Sequence, residues 1–277
     1  MFAVKVGFIG CGKVGLSMAK YFKYRSIEIS GFYIGSHTDN AKAKFKVYND
    51  LKSFIDKSDV IFITVTDRAI KDVWKGLENM NIDFKTICHC SGSLSSEIFI
   101  NADKRNAYVC SIHPILPFET TDVSVSEISK AYFTIEGNKK AVKNIRTILD
   151  LCHNPYYIID GKDKIKYHAA ACFASNFVVA LCQKAAELMC QCGFEYDVAV
   201  KALTPLIISN INNICSKGVY DALTGPVERN DVSTVENHLR ILNEKDSNLY
   251  KMLTEILVNI AKEKHKDRYY KAMEELL

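Results

Sequence analysis

The chain has 277 residues, enough to bury a substantial core and, by length, to hold two domains. It is 48% hydrophobic and 25% charged, as in ordinary soluble proteins, and its net charge of +4 comes from scattered lysines and arginines, which argues against nucleic-acid binding. No charged leader precedes a long apolar run, and no apolar run reaches the roughly 20 residues of a membrane helix, so we expect no signal peptide, no membrane partner and a cytoplasmic location.

The first predicted strand, residues 4–9, runs directly into a glycine-rich turn with the pattern G-x-G-x-x-G. Between a strand and a helix, this pattern is typical of dinucleotide binding. Gly10 would allow a tight turn, Gly12 a close approach of backbone to a pyrophosphate, and Gly15 close packing of the following helix on the strand. We expect the cofactor to contact Gly10, Cys11, Gly12, Lys13, Val14 and Gly15. The alternative is a strand-to-helix turn that binds nothing.

The first half of the chain alternates apolar, strand-like runs with helical stretches. The predicted strands are residues 27–33, 60–65, 86–90, 108–112, 131–136 and 156–159, and helices are predicted over 16–24, 70–80 and 139–152. This alternation predicts an α/β fold with a doubly wound parallel sheet of the Rossmann type.

The second half reads as helices alone. Helices are predicted over residues 163–192, ended by Gly193 in a left-handed conformation, over 197–217 with a kink at Pro205, from a capping box at Ser233, and over 246–266. The change of pattern places a domain boundary near Gly161, which gives a dinucleotide-binding domain over 1–160 and an all-helical domain over 161–277.

The choice of cofactor depends on the end of the second strand, about 20 residues after the glycines. Ser36 and His37 stand there without an acidic residue that would hold a ribose 2′-hydroxyl, so we expect NADP(H) to be favoured over NAD(H). Thr66 follows the buried strand 60–65 and should lie over the cofactor. The alternative is that Ser36 and His37 belong to a polar surface loop.

Two strands of the first half end in polar residues that should meet at the carboxyl edge of the sheet. Ser91 and Gly92 follow the strand at 86–90, and His113 follows the next strand. Ligands collect at this edge in α/β folds. His113 is therefore a candidate catalytic residue, and the alternative is that it only ends a strand before Pro114.

The first long helix of the second half carries His168, Ser175 and Asn176 within about a third of its circumference. These side chains are candidates for proton transfer and for hydrogen bonds to a substrate; the alternatives are a histidine between domains and a hydrogen-bonded pair between helices. Further on, Arg229 is a candidate carboxylate ligand or a surface ion-pair partner, and Asp231 is predicted to cap the next helix.

The ten cysteines, in a chain without an export signal, indicate reduced thiols. The tight clusters Cys88-His89-Cys90 and Cys190-Gln191-Cys192 lack the C-x-x-C spacing of a zinc site, so we expect no metal.

Taken together, these motifs resemble a known family. They are the glycine turn, His89-Cys90-Ser91-Gly92, His113-Pro114, the run from Tyr167 to Asn176, and Gly225-Pro226 through Asp231 with Thr234 and His238. The chain resembles the Rossmann-like proteins with a helical domain known as DUF2520, which include an alternative type of ketopantoate reductase. The resemblance implies NAD(P) binding, a cleft between domains and a homodimer formed by the helical domain.

One departure bears on the chemistry. Better-known ketopantoate reductases and β-hydroxyacid dehydrogenases carry Lys-x-x-x-Asn on this helix, with Lys as general acid, whereas Cys172 stands four residues before Asn176 here. We therefore expect His168, or else His113, to donate the proton, Ser175 and Asn176 to bind the substrate's polar groups, and Ser91, Gly92 or Arg229 to hold its carboxylate. The expected reaction is NADP-dependent reduction of a small 2-oxo acid, with ketopantoate as first candidate. The alternatives are a cyclic imine, as in pyrroline-5-carboxylate reductase, or a non-catalytic NADP-binding regulatory protein.

Overall fold

The polypeptide folds into two units, Met1–Phe177 and Val178–Leu277. The structure, a computed structural model, describes residues 4–34 and 45–277. The division between the units falls C-terminal to Gly161, where the sequence pattern changes, and the boundary predicted there stays a prediction.

Within the described residues of the first unit, eight strands form one sheet in the order β3-β2-β1-β4-β5-β6-β7-β8. The strands are β1 Lys5–Ile9, β2 Glu28–Tyr33, β3 Val47–Tyr48, β4 Val60–Ile63, β5 Thr86–His89, β6 Tyr108–Pro114, β7 Phe133–Gly137 and β8 Tyr156–Ile158. This confirms the predicted α/β fold with a Rossmann-type sheet. The neighbours β2 and β4 flank β1, so the strand order reverses at β1, and this is the place where such sheets bind ligands.

One pairing departs from the predicted parallel sheet, because β6 and β7 run antiparallel and place His113 opposite Thr134. The other pairs are parallel.

Helices cover both faces of this sheet and form all of the second unit. They are α1 Lys13–Tyr24, α2 Leu51–Asp56, α3 Asp67–Leu77, α4 Val125–Lys130, α5 Lys139–Cys152, α6 Lys164–Ala174, α7 Asn176–Gln191, α8 Tyr196–Ala222, α9 Val232–Ile241, α10 Glu244–Lys264 and α11 Lys271–Glu275. Short 3-10 turns lie at Ser96–Ile98, Asp103–Arg105 and Gly161–Asp163.

Strand β4 shows how the first unit builds a core on each face of the sheet. Val60 and Phe62 pack with α1, α4 and α5, whereas Ile61 and Ile63 pack with α2 and α3. Successive side chains of a strand point to opposite faces, so a continuous apolar run is what a strand covered on both sides requires. The second unit has its own small core around Val235, Val258 and Tyr270.

Three features of the helical half differ from the prediction. The long helix predicted over 163–192 is interrupted at Ser175, whose hydroxyl donates to the Ala171 carbonyl and whose dihedral angles leave the helical region. Within α8, the residue with non-helical angles is Gly218, and Pro205 lies in the helical run. The N-cap of α9 lies two residues before the predicted capping box at Ser233, because Asp231 accepts from the Thr234 backbone N–H, as predicted for Asp231. Gly193 has the predicted left-handed conformation, with φ of +93°.

The helical half is apolar on its surface. Residues 161–191 and 196–222 are long and apolar enough to cross a membrane by length and composition, which is weak evidence by itself. Nine apolar or aromatic side chains of α8 are exposed: Tyr196, Val198, Val200, Leu206, Ile208, Ile211, Ile214, Val219 and Tyr220. A surface of this kind marks an interaction site in most proteins.

The thiols of the sheet are buried. Cys88 and Cys110 are register partners on β5 and β6, and both are fully buried. Burial raises the pKa of the Cys88 thiol far above its ordinary value and raises that of Cys90 to about 12. By contrast, Cys192 and Cys215 are exposed.

Candidate active site

The glycine-rich turn connects β1 to α1 as the sequence predicts. Gly10 has a φ of +99°, and its N–H donates to the Tyr33 carbonyl over 3.2 Å. At Gly15 a Cβ atom would collide with the Thr64 hydroxyl and the Gly10 carbonyl, and Thr64 Oγ1 itself donates to that carbonyl over 2.8 Å. The fold therefore requires glycine at 10 and 15 whether or not a ligand is bound.

Gly12 differs from these two glycines. A Cβ atom there would meet only the Thr64 carbonyl oxygen, at 3.9 Å. Gly12 is the N-cap residue of α1, and within the described residues no side chain caps this end of the helix. The first N–H groups of α1 are thus available to an anion, and the open space at Gly12 allows it to come close.

The other residues predicted to contact the cofactor lie around this turn. Cys11 and Val14 are half-buried, and Lys13 is exposed as the first residue of α1. Thr66 is exposed as the N-cap residue of α3, directly after β4, the neighbour of β1. Ser36 and His37 lie outside the described residues, so their part in cofactor choice stays a prediction.

The turn after β5 is held by a histidine that does not reach the surface. His89 is fully buried, its Nδ1 accepts from the Ser91 N–H over 3.2 Å, and its Nε2 lies 3.2 Å from the Ser95 carbonyl. Burial lowers the pKa of His89 to about 4, so the ring is neutral at physiological pH. His89 is thus a structural residue of this turn.

Ser91 has its hydroxyl engaged within the same turn. Its Oγ donates to Asp67 Oδ2 over 2.7 Å and accepts from the backbone N–H groups of Ser93 and Leu94. Asp67 stands at the start of α3, so its carboxylate is brought to the site. The hydrogen bonds of the Ser91 hydroxyl are therefore made with the turn and with Asp67.

Two histidines meet at Gly92. The rings of His113, at the end of β6, and His168, on α6, have centroids 6.4 Å apart. A Cβ atom on residue 92 would lie 2.5 Å from His168 Cδ2 and 3.0 Å from His113 Nε2. The absence of a side chain at Gly92 is what lets both rings approach the turn.

His113 is oriented by a tyrosine. The Tyr167 hydroxyl lies 2.6 Å from His113 Nδ1, and the two rings pack edge to face. Burial lowers the pKa of His113 to about 4, and the positive charge of Lys164 adds to this effect. Nε2 is left on the side of Gly92 and His168, so a neutral His113 protonated at Nε2 offers a hydrogen-bond donor there.

Sequence reasoning missed a third group at this site, Lys164. Its side chain is 1% exposed, and Nζ donates to the Ser91 carbonyl over 2.9 Å and to Ser111 Oγ over 2.8 Å. Burial lowers the pKa of Lys164 to about 8, and the nearby carboxylate of Glu136 opposes the shift. A signal was present, since Lys164 stands four residues before His168 and thus on the same face of α6.

Among the described residues, no contact joins the remaining predicted residues to the cluster around His113, His168 and Gly92. Ser175 and Asn176 are exposed and hydrogen-bonded to each other, and Cys172 Sγ lies 4.0 Å from His168 Nδ1. Arg229 is an exposed residue of the second unit. Within residues 4–34 and 45–277, no cluster of three His, Cys, Asp or Glu side chains suits a metal ion.

The chain matches two family models along its length. Residues 5–103 match the NAD-binding domain of 6-phosphogluconate dehydrogenase, and residues 131–256 match the domain of unknown function DUF2520. The chain thus joins a segment similar to an NAD-binding domain to a segment similar to DUF2520. This confirms the predicted resemblance and agrees with the glycine turn as a nicotinamide-dinucleotide site. No curated protein matches the chain.

Solved structures share the fold over nearly the whole chain. Protein TM1727 from Thermotoga maritima is 27% identical, with a TM-score of 0.75 over 93% of this chain and 98% of that one. Protein BF3122 from Bacteroides fragilis, a proposed NADP oxidoreductase, is 21% identical, with a TM-score of 0.68 over 92% and 98%. The pyrroline carboxylate reductase of Plasmodium falciparum, solved with NADP bound, is 14% identical, with a TM-score of 0.59 over 99% of each chain.

Proposed function

We propose that this protein is an NAD(P)-dependent oxidoreductase that reduces the carbonyl group of a small 2-oxo acid. The observation that carries the proposal is the pair His113 and His168, brought together at Gly92 on the carboxyl edge of an NAD-binding domain. Two groups able to donate a proton, placed where such folds bind ligands, fit a reductase better than a passive nucleotide-binding module.

The described residues support this chemistry as follows. When bound, the reduced nicotinamide supplies a hydride to the carbonyl carbon. The glycine turn and the N-terminus of α1 hold the pyrophosphate. As negative charge develops on the carbonyl oxygen, a neutral histidine N–H donates a hydrogen bond to it, and a histidine that enters the reaction as imidazolium would deliver the proton that completes the alcohol and end as neutral imidazole.

His168 is our first choice for the proton donor and His113 the second. His113 Nδ1 is bonded to Tyr167, whereas among the described residues the hydrogen-bond partner of the His168 ring is the Cys172 thiol, with 4.0 Å between Sγ and Nδ1. Replacing His168 by alanine should leave cofactor affinity unchanged and reduce turnover severely. Wild-type turnover in His168→Ala, with a loss in His113→Ala, would reverse the assignment.

The substrate class rests on the family resemblance and on the predicted ligands. Ketopantoate is the first candidate, with Ser175 and Asn176 binding its polar groups and Arg229 or the Ser91–Gly92 turn holding its carboxylate. Because the Ser91 hydroxyl already serves Asp67 and its own turn, we expect that hydroxyl to contribute little to binding the carboxylate.

A second candidate is reduction of a cyclic imine. The carboxylate of Asp67 lies beside the turn at Ser91 and would stabilise a protonated imine, and a neutral His113 is compatible with a substrate that brings its own proton. The fold likeness to a pyrroline carboxylate reductase agrees with this candidate.

The deciding assay follows nicotinamide absorbance with the purified protein, NADPH or NADH, and either ketopantoate or pyrroline-5-carboxylate. Oxidation with ketopantoate alone supports the first candidate, and oxidation with the imine alone supports the second. Binding of NADPH without hydride transfer to either compound would favour a regulatory protein. A higher kcat/KM with NADPH than with NADH supports the proposed preference for NADP(H) over NAD(H).

We also propose that the protein is a cytoplasmic homodimer formed through the helical half. The support is the exposed apolar surface of α8, which a second copy would cover. Ile208→Asp should convert the dimer to monomer in size-exclusion chromatography with light scattering, whereas Lys245→Asp, an equal carboxylate at an exposed polar position, should not. A monomeric wild type that sediments with lipid vesicles would instead assign the surface to a membrane.

A further inference from the structure

Lys164 connects the three segments that form the histidine site. It is the first residue of α6, which carries His168 one helical turn later. Its Nζ reaches the Ser91 carbonyl next to Gly92, and Ser111 Oγ on β6, two residues before His113. Residues two apart on a strand face the same side, so Ser111 and His113 share a face of β6.

These hydrogen bonds converge on one carbonyl group. Ser111 Oγ also lies 3.3 Å from the Ser91 carbonyl oxygen, to which it can donate while accepting from Lys164. The ammonium, the hydroxyl and the carbonyl therefore form a closed triangle of hydrogen bonds, and the turn at Ser91–Gly92 is fixed against β6. Removing the ammonium would leave the Ser91 carbonyl and the Ser111 hydroxyl with only the 3.3 Å bond between them, and the Ser111 oxygen would lose the donor from which it accepts. A buried polar group that loses a hydrogen bond is costly.

The charge of Lys164 is enclosed among groups that titrate. Those that act on Lys164 or His113 are Asp67 on α3, His89 and Cys90 at the end of β5, Glu136 on β7, and His168 on α6, with Tyr167 bonded to the His113 ring. The Glu136 carboxylate accepts from the Ser96 N–H and Oγ, so its hydrogen bonds are made with that turn, and its charge also acts on Lys164. The positive charge favours a neutral ring at His113.

We propose that Lys164 is a positioning residue of this site: its buried ammonium group fixes the Ser91–Gly92 turn against His113 and His168, and its positive charge acts on the His113 ring. The part that concerns turnover rests on the proposed reductase function. The part that concerns the charge of His113 does not. With Nζ bonded to Ser91 and Ser111 and 1% of the side chain exposed, Lys164 acts through these neighbours.

The test compares Lys164→Met with Lys166→Met in the full-length protein. Lys166 is exposed and two residues away on the same helix, so it is a matched control for loss of a lysine. The ring of His113 is followed by NMR with labelled histidine, assigned with His113→Gln, across a pH titration. In Lys164→Met the titration midpoint of His113 should move up, while burial of the ring still keeps it below that of a free imidazole, and in Lys166→Met it should stay at the wild-type value.

Kinetics supply the second readout. Lys164→Met should lower kcat by roughly 100-fold with little change in KM or in NADPH affinity, because misplaced histidines affect the reacting atoms and the glycine turn is separate. An unchanged His113 midpoint together with wild-type kcat would overturn the proposal. If the wild type reduces neither substrate, the reductase function fails, and the NMR comparison still tests the charge of His113.

A third variant covers the case in which Lys164→Met does not fold. Ser111→Ala removes one anchor of the ammonium group and keeps its charge. We expect a lower kcat with the His113 midpoint unchanged, since the turn loosens and the field of Lys164 persists. Wild-type kcat in Ser111→Ala would show that the triangle of hydrogen bonds does not position the site.

Discussion

The hydroxyl of Tyr167 and Nδ1 of His113 lie 2.6 Å apart, which leaves Nε2 of His113 as the ring nitrogen on the side of Gly92. A tyrosine O–H that donates to Nδ1 selects the tautomer with the proton on Nε2. The orientation of the His113 ring and the choice of its neutral tautomer therefore depend on Tyr167 of α6.

Tyr167→Phe should lower kcat about fivefold, corresponding to about 1 kcal/mol for the lost hydrogen bond. Cofactor affinity should not change, since the glycine turn is untouched. Steady-state kinetics with Tyr157→Phe as control checks this, because Tyr157 is 71% exposed. Equal kcat in both variants would mean that Tyr167 does not orient His113.

Gly92→Ala should reduce turnover while the protein stays folded. The new methyl group would collide with His168 Cδ2 and press on His113 Nε2, so both rings must move away from the turn. Gly76→Ala in α3 is the control, because its methyl group would meet nothing closer than Leu51 at 4.0 Å, and it should be neutral or stabilising. Thermal unfolding and kcat, measured together, separate the two effects; a fully active Gly92→Ala would contradict the described packing.

The glycine turn offers a pair of variants that separates folding from ligand binding. Gly15→Ala should destabilise the protein, since the methyl group collides with Thr64 and the Gly10 carbonyl. Gly12→Ala should leave the unfolding temperature unchanged and weaken NADPH binding about tenfold or more, because the open space there is needed by the ligand's pyrophosphate. Calorimetric titration with NADPH measures this, and unchanged affinity in Gly12→Ala would argue against a pyrophosphate at this turn.

Stability should depend on pH through His89. Its pKa is about 4 in the folded protein and near 6.5 in the unfolded chain, so between these values the unfolded chain binds a proton that the folded protein does not. The stabilisation is fully present above pH 6.5 and is lost as the pH falls toward 4. From pH 7 to pH 5 the loss is about 2 kcal/mol.

Urea unfolding of His89→Gln at both pH values tests this dependence. The variant should lose less stability on acidification than the wild type. His153→Asn is the control, because His153 is exposed and asparagine tolerates its left-handed backbone conformation. The same pH dependence in wild type and His89→Gln would show that burial of His89 does not govern it.

Local patterns were sufficient for much of the fold. The apolar run before Gly10 and the spacing to Gly15 predict a strand, a turn and a helix, because each residue type is needed where it stands. The alternation of strands and helices predicts the sheet in the same way. The direction of β7 was not predictable, since the apolar pattern of a strand is the same in either direction.

The candidate site was predicted in part. Gly92 and His113 come together because the ends of neighbouring strands share an edge, and His168 joins them from α6. The spacing of four residues to His168 places Lys164 on the same face of α6, but Lys164 was missed because a lysine in the first turn of a helix is usually solvated, and its partner at Ser91 is 73 residues away in the chain. The burial of its charge has no local signature. The helix break at Ser175 was missed because no glycine or proline marks it.

The reactivity of the buried thiols of β5 and β6 can show when the sheet opens. Cys88 lies directly before His89 on β5, and Cys110 lies three residues before His113 on β6; both thiols are buried, whereas Cys192 faces solvent. An alkylating reagent therefore reacts with Cys192 on contact and with the buried pair only when the sheet opens. Mass spectrometry can compare the alkylation rates of the exposed and the buried thiols, and the difference measures how often the sheet opens next to the histidines. A ligand that stabilises this edge would slow alkylation of the buried pair even if no reaction takes place.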